Sequence, residues 1–181
     1  MDHAAGVVYR RIMPRFIPTS EQCIALSSCD DRPDAALFNA AFGLVYGTGM
    51  YLNEMLVLRR IDVAIAERMR LQISGFRART LPVPKGAAHR LVLLLDDERA
   101  CPEDASIFQK NGKTMVDMTV VYELKRRSRL FGFSRELGTT DLRAAFARDM
   151  ADKGTPFEII AHMMGYRSVN QLQAFLMRAA S

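Results

Sequence analysis

The sequence predicts a mainly α-helical domain with one small antiparallel β-sheet, an α+β fold. Three observations carry this. Apolar residues recur at helical spacing over most of the chain; between residues 69 and 74 the pattern switches to alternation of Met69, Leu71 and Ile73 with Arg70, Gln72 and Ser74; and Gly75 is followed by a short return run over 79–83 that stops at Pro84. A period of 3.6 residues gives a helix one apolar stripe, whereas a period of two gives a strand one dry and one wet face.

In chain order, residues 1–18 contain Pro14 and Pro18 and read as an arm leading into a domain over 19–181. Thr19 or Ser20 is the expected N-cap of a helix reaching about residue 28, and residues 30–33 form a turn. The segment 34–46 is apolar nearly all round, which predicts a central, deeply buried helix. Gly47 and Gly49 are expected to break it, and Leu52, Met55, Leu56 and Leu58 restart a helical period that ends before Asp62. After the sheet, a helix over 86–99 turns Leu91, Leu94 and Leu95 inward, and further helices are expected over 115–130, 139–151, 155–164 and 168–178.

Composition excludes several function classes. With 49% hydrophobic and 25% charged residues the chain has the apolar surface an ordinary folded domain needs. Cys23, Cys29 and Cys101 lack the paired spacing of a zinc or redox site and are expected to be thiols; His3, His89 and His162 are scattered, so no metal or other cofactor is expected. The longest apolar run, 91–95, is far too short to span a bilayer, and a cytoplasmic location without a membrane partner is the expectation. A formal net charge of +5, with cations bunched at 10–11, 59–60 and 125–129, points to a polyanion such as nucleic acid, although a plain solvated surface would look the same.

The helix over 115–130 sharpens that expectation. At 100° per residue, Val116, Val120, Val121 and Leu124 share one arc, and Met118, Thr119, Tyr122, Lys125, Arg126 and Arg129 share the opposite one. One face packs and the other offers cations to a duplex groove.

Four stretches then bear comparison with a known pattern. Residues 46–58 (Tyr46-Gly47-Thr48-Gly49-Met50-Tyr51-Leu52-Asn53-Glu54-Met55-Leu56-Val57-Leu58) hold a T-G-x-x-x-x-E-x-x-x-L arrangement, and Arg79-Thr80-Leu81-Pro82-Val83-Pro84 ends the sheet. Thr140-Asp141-Leu142-Arg143-Ala144-Ala145-Phe146-Ala147 opens a later helix, and Ile159-Ile160-Ala161-His162-Met163-Met164-Gly165-Tyr166 precedes Phe175. In this order the four resemble the T-G-x-R-x-x-E-x-x-x-L, R-x-V-P-L, H-x-L-R-x-x-F-A and L-G-H segments of tyrosine recombinases and phage integrases, over about residues 18–178.

The resemblance implies a tyrosine-recombinase catalytic-domain-like fold and double-stranded DNA as partner. It also implies a pocket in which two arginines, a lysine and two histidines surround the scissile phosphate and a tyrosine attacks it. Here Tyr51 stands at the first arginine's position, Thr140 and Tyr166 at the histidines' and Phe175 at the nucleophile's, and Arg143 alone matches clearly. The lysine belongs to the hairpin turn, where this chain offers Phe76, Arg77 and Arg79.

On these departures the chain is expected to be no enzyme. It would be a catalytically inactive, integrase-like DNA-binding protein acting as a transcriptional regulator or architectural accessory, encoded on a mobile element such as a plasmid. The alternatives are an interaction protein that self-associates or modulates an active recombinase, and a divergent active site-specific recombinase. Arg143 is expected either to fork onto a phosphate or to pair structurally with Asp141 or Glu54. The expected DNA contacts are Arg143, Arg77, Arg79, Thr119, Tyr122, Lys125, Arg126, Arg129, Lys113 and Arg167, with Lys110 and Arg135 extending the track. No separate N-terminal core-binding domain is expected, so binding would be weak unless the chain dimerises or the arm, with Arg10, Arg11 and Arg15, wraps the duplex.

Overall fold

The computed structural model describes residues 17–96 and 103–179. Most of the arm, with Arg10, Arg11, Arg15 and His3, lies outside these residues, as do Cys101 and the last turn of the helix expected over 86–99. Helix α1 (Ser20–Leu26) opens on a reciprocal cap: the Thr19 hydroxyl accepts from the Gln22 N–H at 3.3 Å, and the Gln22 side chain accepts from the Thr19 N–H at 2.8 Å. Both exchanges satisfy donors that a helix start leaves without partners.

Helix α2 (Ala35–Thr48) is the central element, packed against α1 and the later helices, with Phe38, Phe42, Leu44 and Val45 almost wholly buried. It runs two residues past the expected end, because Gly47 does not break it. A side chain at Gly47 would meet Ala87 and Pro84 at 3.2–3.3 Å, so the glycine serves close helix packing instead. Gly49 is the true terminator, at φ +69°, and its N–H donates to the Val45 carbonyl at 3.1 Å. Helix α3 (Leu52–Leu56) follows at once.

The sheet has the order β1-β2-β3, from Val63–Ala64, Arg70–Ile73 and Arg79–Pro82, all antiparallel. Leu71 faces Leu81 and Ile73 faces Arg79, so the alternation of the sequence becomes one buried and one exposed face. Strand β1 adds to the expected pair, and with two residues it is too short to show a period in the sequence. Pro82 is tolerated because β3 pairs on one side only.

Helix α4 (Lys85–Leu95) crosses α2, and a second hairpin, β4 (Gln109–Lys110) with β5 (Lys113–Thr114), follows it. This hairpin is absent from the sequence-based expectation, although Asn111-Gly112, both at positive φ, is the dipeptide that a two-residue turn demands.

Helices α5 (Asp117–Leu130), α6 (Thr139–Asp152), α7 (Phe157–Met163) and α8 (Val169–Ala179) lie close to their expected positions. The inward arc of α5 is corrected. Val116 is the cap residue and 60% exposed, while Glu123, Arg127 and Ser128 join Val120 and Leu124 inside. Arg127 and Glu123 are buried together at 2.8 Å, which lets two polar groups share a face that a hydropathy pattern assigns to apolar ones.

Burial pushes the Glu123 carboxyl up, and hydrogen bonds from Arg126 and Arg127 outweigh it, leaving the group below its ordinary 4.5. Asp149 is likewise raised by burial and lowered further by bonds from Tyr46, Ser20 and Arg148, for a net decrease. Because both folded values are depressed, their contribution is complete above the ordinary carboxylate range and is lost as pH falls through the lowered values. The melting temperature is therefore expected to be flat from about pH 7 to about pH 5 and to drop steadily below about pH 4. Thermal melts across that range check this, and a midpoint unchanged down to about pH 2 would refute it.

Candidate nucleic-acid interface

A pocket of about 800 Å³ opens where the end of α2, the start of α3, the first turn of α6 and the α7–α8 junction meet. Tyr51, Arg77, Thr140, Arg143, Tyr166 and Phe175, far apart in sequence, all line it, and Asp117 brings the start of α5 to its rim. Five of these six are the positions that the family resemblance singled out, and the fold does bring them together.

Arg143 is the centre of this pocket and is 5% exposed. Its Nε donates to the Gly49 carbonyl and its Nη2 to the Met164 carbonyl, both at 2.9 Å, while Nη1 lies 3.4 Å from the Tyr166 hydroxyl. Carbonyls at helix ends lack partners within the helix, so one guanidinium ties the ends of α2 and α7 together. The expected carboxylate partners are corrected: Asp141 is taken by Arg135 and Glu54 by Arg79.

Aromatic rings close around the same cation. The Arg143 Cζ stands 3.6 Å from the Tyr51 ring centroid, 5.4 Å from that of Tyr166 and 5.2 Å from that of Phe175. Arg77 stands 4.2 Å from the Tyr51 ring, so this tyrosine attracts two guanidiniums through its negative π-face. Burial pushes the Tyr166 hydroxyl up to about 12, and near neutral pH it is a phenol that exchanges hydrogen bonds without charge. Phe175 offers no oxygen, whereas Tyr51, Thr140 and Tyr166, which line the same pocket, carry hydroxyls, that of Tyr166 within 3.4 Å of Arg143. The arrangement can hold a phosphodiester by charge and by hydrogen bonding.

The two hairpin arginines part company. Arg77 is exposed, but Arg79 points inward with its side chain 1% accessible, which corrects the expectation that it faces nucleic acid. Its guanidinium forks onto Glu54 with two bonds of 2.8 Å and donates from Nε to the Met163 carbonyl at 2.8 Å. Glu54 also accepts from the Tyr51 N–H at 2.8 Å, so this pair pins the sheet to α3 and α7. The alternation of the sequence carries the signal: residues 79, 81 and 83 share the buried phase.

The outer face of α5 is less cationic than its sequence. Arg126 binds Asp31 and Glu123, both at 2.7 Å, and the mutual hydrogen bonds raise the arginine's pKa and lower that of Asp31. Lys125 and Arg129 each lie 3.4 Å from Glu136 but remain about half exposed. Asp31 and Glu136 come from other loops, which is why a helical wheel cannot reveal them. Thr119 and the 67%-exposed Tyr122 line a shallow depression of about 540 Å³ beside Arg126 and Arg129. Lys113 projects from β5, Lys110 pairs with Asp34 at 2.7 Å, and Arg167 lies on the α7–α8 turn. Among the described residues no group of three acidic, histidine or cysteine side chains could hold a metal ion, and no helix is long and apolar enough to cross a membrane.

Comparison with known proteins gives this geometry a context. A family model described as the phage integrase family matches residues 17–180. The chain is similar to the tyrosine recombinase XerC of Rickettsia bellii (strain OSU 85-389), at 20% identity over 171 residues. It is also similar to XerC of Roseiflexus sp. (strain RS-1), at 26% over 175 residues. Each alignment covers 91% of this chain and 56% of the relative, so the chain spans about half the length of the curated relatives it matches.

Among solved structures, XerA recombinase superposes with a TM-score of 0.78 at 18% identity, over 91% of this chain and 58% of that one. XerH site-specific recombinase, in a pre-cleavage complex with its difH substrate, superposes with 0.75 at 18%, over 87% and 49%. These likenesses establish the tyrosine-recombinase catalytic-domain fold. The expectation that the chain is no enzyme is overturned by the same comparisons. Its matched relatives are tyrosine recombinases, which are enzymes, and side chains replaced at motif positions do not by themselves establish inactivity.

Proposed function

Because the chain belongs to the phage integrase family, matching its model over residues 17–180, we propose that it binds double-stranded DNA in the service of DNA recombination. The observation that supports this best is the pocket in which Arg143 is held rigid with one edge toward the Tyr166 hydroxyl and Arg77 stands exposed beside it. One fixed cation, a second exposed beside it and three hydroxyls suit a backbone phosphate, and the prior fixing of Arg143 by helix-end carbonyls reduces the ordering that binding must impose.

In this reading the duplex lies across the pocket, the sheet hairpin and the outer face of α5. Arg77, Arg167, Lys113, Lys125 and Arg129 contact phosphates, and Thr119 and Tyr122 lie at a groove edge. Arg126 contributes less than its position on the wheel implies, since two carboxylates already hold it. A domain that grips DNA in this way can also act architecturally or as a regulator at the bound site, in the cytoplasm.

A mobility-shift titration across a salt series tests the proposal. Affinity should fall linearly on a log–log plot with a slope of about −0.9 for each phosphate neutralised. The Lys125→Ala, Arg129→Ala double variant should make that slope shallower by about 1.8, while Arg126→Ala should change it by less than about 0.5. Absence of any shift at low salt would sink the proposal.

A further inference from the structure

Phe76 is 81% exposed, the most exposed large hydrophobic side chain among the described residues. It occupies a special place, the tip of the β2–β3 hairpin. There Gly75, at φ +85°, starts a turn closed by the Ala78 N–H donating to the Gly75 carbonyl at 3.0 Å. Phe76 and Arg77 are the two central residues of that turn.

The ring is nevertheless held. The Arg167 Cζ stands 4.3 Å from its centroid, from the α7–α8 turn. The base of the hairpin is seated on that same turn, because Gly165 lacks a Cβ where one would lie 3.1–3.2 Å from the Arg79 and Arg77 side chains. Arg77, immediately next to Phe76, stacks on Tyr51 at the phosphate pocket. An apolar ring is therefore presented to solvent beside two guanidiniums, that of Arg167 against its face and that of Arg77 on the next residue.

We propose that Phe76 is a wedge that enters between adjacent base pairs of duplex DNA, with Arg77 and Arg167 on the phosphates to either side. The inference rests on the duplex-binding reading above. A stacked duplex offers the matching chemistry: flat apolar faces inside an anionic rim, within a residue's reach of the pocket where a phosphate would sit. Inserted apolar side chains unstack a step and kink the duplex, and the cations hold the bent backbone.

Duplexes carrying 2-aminopurine at successive positions test this, because that base brightens when unstacked. Anisotropy, read in the same titration, reports binding. The wild-type protein should raise both signals, with emission rising severalfold at one or two adjacent positions. Phe76→Ala should still bind, on the order of tenfold more weakly, without the emission rise, and Phe76→Leu, an apolar wedge without a quenching ring, should restore part of it. Since the ring is exposed, Phe76→Ala should keep the wild-type melting temperature.

Binding without brightening at any position, or brightening unchanged in Phe76→Ala, overturns the wedge and leaves the duplex reading intact. No anisotropy change with wild-type protein removes the duplex reading and the wedge together. A change in sedimentation of Phe76→Ala alone, with emission unaltered, would assign the ring to contact between copies of the chain and also overturn the proposal.

Discussion

Replacing Arg127 with methionine is expected to lower the unfolding free energy by about 3–5 kcal/mol. The side chain is fully buried on the inner face of α5, yet it bonds three elements. Nε donates to Glu123 at 2.8 Å, and Nη1 donates to the Leu26 carbonyl at 2.6 Å and to the Asn39 side chain at 2.5 Å. The guanidinium also lies 5.2 Å from the centre of the Phe42 ring. Methionine fills much of the volume but donates nothing, so a buried carbonyl and an amide oxygen lose a donor and Glu123 keeps only its partly exposed partners.

For a domain of this size the melting temperature should fall by about 2–4 °C for each kcal/mol lost. Adding Glu123→Gln should recover part of the loss, because the carboxylate left behind accounts for part of the penalty. Urea unfolding of the wild-type protein and the two variants measures both effects. A loss below about 1 kcal/mol for Arg127→Met would mean that the network contributes little net stability.

Gly49→Ala is the second large effect, and it should damage stability and DNA binding together. The left-handed backbone at φ +69° costs a non-glycine residue about 1–2 kcal/mol. A Cβ there would also lie 2.4 Å from Cδ1 of the buried Phe146 and 2.9 Å from Cγ of Met164. Relief requires a shift of packed side chains, adding about 1–3 kcal/mol, so the total is about 2–5 kcal/mol. The Gly49 carbonyl is the acceptor that orients Arg143, so any backbone shift moves the pocket's central cation.

Gly75→Ala isolates the conformational part, since φ there is +85° but nothing lies within 4 Å of the added atom. Gly75→Ala should cost about 1–2 kcal/mol. Equal losses in the two variants, measured by denaturant melts, would refute the steric account of Gly49.

How far each feature is legible in the sequence depends on whether its cause is local. The α2 helix shows because nearly every position in it is apolar, and the β2–β3 hairpin shows because a period of two survives over consecutive residues. The Asn111-Gly112 turn is equally local, but its flanking strands of two residues each are too short to carry a period. The cluster at 125–129 misleads because a run of cations looks like solvated surface, whereas Arg127 turns into the core to meet α1 and α2. Likewise Arg77 and Arg79 look alike in sequence, and strand phase places one in solvent and the other against Glu54.

The amino-acid order by itself determined the mainly α architecture with its antiparallel hairpin and, through the spacing of four motifs, the integrase fold and the residues that would line one pocket. Periodicity and spacing along a chain act over a few residues, and those are the forces that set element type. Tertiary structure alone decided which charges are spent. Asp31, Glu136 and Glu54 quench arginines or lysines on other elements, while the carbonyls of Gly49 and Met164 hold Arg143. Ion pairs and helix-end carbonyls act through space over a few ångströms, so partners as many as 95 positions apart in sequence become visible only when the chain has closed on itself.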